Sequence, residues 1–60
     1  MKYFKHIWMI DGDKIIRSYQ PEGVNTYIPP KAGNKDFDTM MQEVGAGTST
    51  IEEVDSTPGG

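Results

Sequence analysis

The apolar residues of this chain follow two different periods. Tyr3 to Ile10 is dense in aromatic and β-branched side chains and stops at Asp11-Gly12, the composition of a strand ending in a tight turn. Asp-Gly suits a two-residue hairpin because both central positions of a type I′ turn need positive φ. Lys14 to Tyr19 then returns as a second strand. Ile15, Arg17 and Tyr19 alternate with Lys14, Ile16 and Ser18, so neither face is purely apolar and the register stays open. Pro21-Glu22-Gly23 carries turn chemistry, and Val24 to Ile28 is again β-prone. The first half therefore reads as a three-stranded antiparallel meander. It ends at Pro29-Pro30, which removes two backbone donors.

After the Lys31-Ala32-Gly33 loop the period changes. Phe37, Met40, Met41 and Val44 fall at i, i+3, i+4 and i+7, one face of a helix whose other face carries Lys35, Asp38, Gln42 and Glu43. Asn34 stands where an N-cap would accept from the first free amides, and Asp36 and Asp38 favour the positive end of the helix dipole. Gly45 is placed as the left-handed glycine just past the end, after about three turns. Asn34, Phe37, Met40, Met41 and Val44 are thus expected as cap and core, with the helix packed across the sheet. Thr48 to Val54, anchored by Ile51, reads equally as a short fourth strand or an extended tail. The expected fold class is α+β, with one small domain over 1–54 and a flexible tail over 55–60.

Sixty residues without cysteine leave neither disulfides nor thiolate metal sites to supplement a core that covers only about 60% of the unfolded chain's surface. Strand 1 is apolar on both faces, and one helix covers one of them. Tyr3, Phe4, Trp8 and Tyr19 are therefore the expected partner-binding residues, in a chain that forms part of a larger assembly.

Charge narrows the partners. The net charge is −3, with Lys2, Lys5, Lys14 and Arg17 in the first twenty residues and seven acids against Lys31 and Lys35 in the rest. Nucleic acid is not expected as a partner, since phosphate binding calls for clustered Lys and Arg. Nor is a membrane, because Ile7-Trp8-Met9-Ile10 falls far short of the roughly 20 apolar residues of a span. The start carries no continuous apolar stretch or cleavage site of a secretory signal, so it reads as mature from Met1.

Candidate chemistry is sparse. His6 is the single histidine and Ser18, Ser49 and Ser56 are the serines; a Ser-His arrangement would have to join a strand to a turn or the tail. His6 reads as a strand residue facing a neighbour or solvent. Asp11-Gly12-Asp13 lacks the further acids of a calcium loop and reads as the hairpin turn. Asp36 and Asp38 diverge on a helix and make no acid/base pair. No catalytic residue, metal ligand or cofactor site is expected.

Ile28-Pro29, Asn34, Asp36 and Phe37, followed by Met40, Met41, Val44 and Gly47, resemble a pattern of small tailed-bacteriophage proteins, hypothetical and tail-associated. In them Ile-Pro-x-Asp-x-x-Asn-x-Asp-Tyr precedes a short amphipathic helix. The chain departs from that pattern at Lys31, Phe37 and Glu43, where the phage proteins usually have Asp, Tyr and often Trp. The resemblance implies a non-enzymatic virion structural or accessory protein, in the capsid or the tail. Its partners would be other virion proteins or copies of itself, and its location the virion, reached from the host cytoplasm. A small regulatory or inhibitor module that binds a host protein is the alternative. Gly59-Gly60 also resembles the end of ubiquitin-like sulfur carriers. Only thirteen residues follow Gly47, too few for the strands such a fold adds.

Overall fold

The computed structural model describes residues 1–59. Strands β1 (Lys2–Ile10) and β2 (Asp13–Pro21), helix α1 (Lys35–Gly45) and strand β3 (Thr50–Asp55) follow in that order. The sheet runs β2-β1-β3. β1 and β2 form the expected hairpin, and Asp11 and Gly12 adopt φ of 51° and 83°, as its two-residue turn requires.

The sheet is α+β in class but mixed, not an antiparallel meander. β3 pairs with β1 in parallel, from Lys2 opposite Thr50 to Ile7 opposite Asp55. The expected third strand is not one: Val24–Tyr27 has no regular structure, and only Ile28 bridges to Tyr19. Here Gly23 turns at φ 81°, Val24 N–H returns to Pro21 C=O, and the Gln20 side chain donates to the Val24 carbonyl. These bonds hold Val24 back to the turn. The third strand comes instead from after the helix, because a parallel pair needs a long crossover, and the connector plus α1 supplies it.

α1 matches expectation at its start, where the Asn34 side chain accepts from Asp36 N–H and Phe37 N–H at 3.0 and 3.1 Å. Its end lies later than Gly45. Gly47 takes the left-handed conformation at φ 80°, with Gly47 N–H bonded to Val44 C=O and Thr48 N–H to Glu43 C=O, the paired bonds of a Schellman cap.

The core lies between α1 and one face of the sheet: Tyr3, Tyr19, Ile28 and Met40 are buried, with Phe37, Val44 and Ile51 packed against them. Met41, expected in that core, is 46% exposed. On the opposite flank of the helix the Glu43 carboxylate accepts from Tyr3 Oη at 3.2 Å and from the buried Ser49 Oγ at 2.7 Å. Those bonds hold the Glu43 flank against the sheet, and Met41 lies at the outer edge of the apolar stripe.

The expected tail boundary at 54/55 falls inside β3. Ser56 N–H bonds to Ile7 C=O, and Met9 N–H donates to Thr57 Oγ1 at 2.8 Å. Chain beyond β3 therefore stays tied along β1 through Thr57, while Gly60 lies outside the described residues.

Candidate functional site: the helix-free face of the sheet

Successive side chains of a strand point to opposite faces, so β1 divides in two. Tyr3 and Ile7 point to the face that carries α1, and both are buried. Phe4, His6 and Trp8 point to the other face, where no element of the described chain covers the sheet. Tyr3 and Tyr19, expected among the partner contacts, are thus core residues at 5% and 7% exposure. Phe4 and Trp8 stay half-buried on the open face.

A β-bulge shapes this face. His6 pairs with Ser18 and Ile7 with Ile16, which leaves Arg17 as the extra residue of β2. Its guanidinium lies over the Trp8 ring, 4.2 Å from the centroid, and no carboxylate among the described residues pairs with it. Next to this stack an open depression of about 430 Å³ is lined by His6, Trp8, Arg17, Ser18, Tyr27 and Ser56. Tyr27, 61% exposed, tilts against His6 with ring centroids 5.9 Å apart. Lys2 sits 5.3 Å from the Phe4 ring centre and pairs with Glu52 at 3.1 Å.

His6 joins three parts of the chain. Nδ1 is 2.7 Å from Ser56 Oγ and Nε2 is 2.9 Å from Gln20 Oε1. Since Gln20 Nε2 donates to the Val24 carbonyl, its Oε1 must accept, so the neutral ring carries its proton on Nε2 and accepts from Ser56 through Nδ1. A hydroxyl, an imidazole and an orienting group are thereby aligned, an arrangement that the chain positions of His6 and Ser56 do not disclose. Gln20, however, is neutral and offers no charge to stabilise an imidazolium, which is the service a carboxylate performs in a triad. What the bonds achieve is fastening: they tie the segment after β3 and the connector after β2 to the central strand.

The two titration shifts on the covered side have physical causes. Burial raises Tyr3, reinforced by its hydrogen bond to Glu43, and burial raises Tyr19. On the exposed rim the hydrogen bonds from Thr57 hold the Asp55 carboxyl below its ordinary value.

Comparison of the chain with protein-family models, with curated proteins and with solved structures finds no match to any of them. Among the described residues no cluster of His, Cys, Asp or Glu could hold a metal ion, and no helix is long and apolar enough to cross a membrane. Sequence reasoning picked out Phe4 and Trp8 but missed Arg17, Gln20 and Tyr27. Asp-Gly and the alternation of β2 give no sign of the bulge that turns Arg17 onto Trp8.

Proposed function

We propose that this protein is a non-enzymatic structural or accessory component of a bacteriophage particle, acting by docking the helix-free face of its sheet onto another particle protein. The one-sided covering of the sheet carries the docking part. Phe4, Trp8 and Tyr27 with an unpaired, stacked Arg17 are residue types that dominate interface energetics. Arg17 is also held in place by the Trp8 ring, so little side-chain entropy is lost when it engages a partner. The phage setting is supported by the resemblance of the Ile28 to Gly47 segment. Much of that segment now has a structural account as well, since Ile28 closes the core, Asn34 caps α1 and Gly47 ends it.

Mass spectrometry of purified particles is the direct test, with the protein expected at high copy number. Its absence from particles that assemble in cells expressing it would overturn the reading. For the docking face, Trp8→Ala is expected to weaken incorporation by roughly tenfold or more, and unchanged incorporation would remove the face from the reading.

A further inference from the structure

We propose that two copies of this chain pair edge to edge through β2, with a two-fold axis at Ile15, to make one continuous six-stranded sheet. This goes beyond the docking reading, because it rests on the free backbone edge of β2, with Arg17 the one docking residue that serves both.

The backbone of β2 indicates which residues are available. In an antiparallel pair, opposing residues either bond each other or both point away. The Ile7 carbonyl accepts from Ser56 N–H and the Met9 N–H donates to Thr57, so both turn toward β3. Their partners on β2, Ile16 and Lys14, accordingly direct their N–H and C=O outward. Tyr19 also faces outward, but it is closed by Ile28 through bonds of 2.9 and 2.7 Å. The free edge is therefore Asp13 to Arg17, bounded by the hairpin turn on one side and the Ile28 bridge on the other, and Ile15 is its midpoint.

A two-fold axis at Ile15 uses that whole stretch. Lys14 then stands opposite Ile16 of the second copy, so outward-facing residues meet and each pair exchanges both backbone bonds. Ile15 meets Ile15, and Asp13 meets Arg17 at both ends. Asp13, paired with Ile10, and Arg17, over Trp8, lie on the same face, as cross-strand partners must. Neither has an ion-pair partner among the described residues. Moving the axis by one residue to Lys14 sets Lys14 against Lys14. Placing it between Ile15 and Ile16 sets Lys14 against Arg17, and Ile16 would set Asp13 against the occupied Tyr19. Ile15 and Ile16, 39% and 38% exposed, are the apolar surface that this pairing covers. The opposite rim of the sheet is unsuited to self-association, because Glu52, Glu53 and Asp55 crowd β3 with like charge. Assembly through β2 thus closes at two copies.

The test is sedimentation equilibrium of the full chain over a concentration series reaching about 1 mM, with circular dichroism confirming that each variant is folded. The wild type is expected to approach twice the monomer mass. Asp13→Arg and Arg17→Asp, each setting like charges together at both ends, are expected to weaken self-association by roughly tenfold. An equimolar mixture of the two variants restores opposite charges at both ends and is expected to recover the dimer. A wild type that stays monomeric throughout overturns the proposal, as does a dimer unchanged by Ile15→Lys or a mixture no stronger than its components. A monomeric wild type that still enters particles in a Trp8-dependent way would sink the pairing alone and leave the docking reading standing.

Discussion

Met40 is fully buried, with no exposed surface, and sits among Tyr3, Tyr19 and Ile28. Met40→Ala removes the outer part of the side chain and leaves a void between helix and sheet, at a cost of about 2–5 kcal/mol. A chain of this size has a total stability of roughly 3–9 kcal/mol, taking ~0.05–0.15 kcal/mol per residue. One substitution therefore removes a large part of the margin. With an unfolding entropy of ~2.1 cal/mol/K per residue, or roughly 0.13 kcal/mol/K for the chain, a loss of about 3 kcal/mol lowers the melting temperature by ~24 °C. Met41→Ala is the internal control, since Met41 is 46% exposed and should cost no more than about 0.5 kcal/mol. Thermal and urea unfolding, followed by far-UV circular dichroism and Trp8 fluorescence, measures both. Equal costs at the two positions, or a Met40→Ala cost below about 1 kcal/mol, would refute the seating of α1 with Met40 inside and Met41 at the edge.

Other expected outcomes follow from caps and titrations. Asn34→Ala strips the acceptor from Asp36 and Phe37 amides and should cost about 1 kcal/mol, whereas Asn34→Asp should retain most of the stability; equal losses in urea titrations would count against the cap. Tyr3 and Tyr19 have folded values raised above the ordinary 10.0. Their contribution is therefore complete below about pH 10 and lost as pH rises through the folded values. Chemical denaturation across that window should show falling stability, with a shallower fall in Tyr3→Phe; an identical slope in the variant would contradict the assignment. Asp55 is shifted the other way, lowered by the Thr57 hydrogen bonds, so the tie it supports is present above the ordinary carboxylate range and lost as pH falls through its folded value. The protection factor of the Thr57 amide, its exchange rate divided into the intrinsic rate at each pH, should fall in acid with that midpoint, and Asp55→Asn should abolish the dependence.

Features decided by neighbours in sequence were legible from the sequence. Asp11-Gly12 specified the hairpin because its backbone demands positive φ, and Asn34 placed the start of α1 through bonds spanning three residues. The apolar period of Phe37, Met40 and Val44 identified the face that packs, while Met41 at the same period fell outside because bonds to Tyr3 and Ser49 hold the Glu43 flank of the helix down. The choice between Val24–Ile28 and Thr50–Asp55 as third strand was not legible. Both are β-prone, and selection depended on where the helix returned the chain relative to β1.

The candidate site divides in the same way. Sequence by itself determined that β1 is apolar on both faces and that one helix is too little to cover it, a consequence of composition and strand periodicity. Tertiary structure alone decided that Tyr3 and Tyr19 belong to the covered face, that Phe4 and Trp8 belong to the open one, and that Arg17 bulges onto Trp8. It also brought Ser56, His6 and Gln20 together across separations of 50 and 14 residues. Register sets those contacts, and register is a property of paired strands: a shift of one residue sends every side chain to the other face.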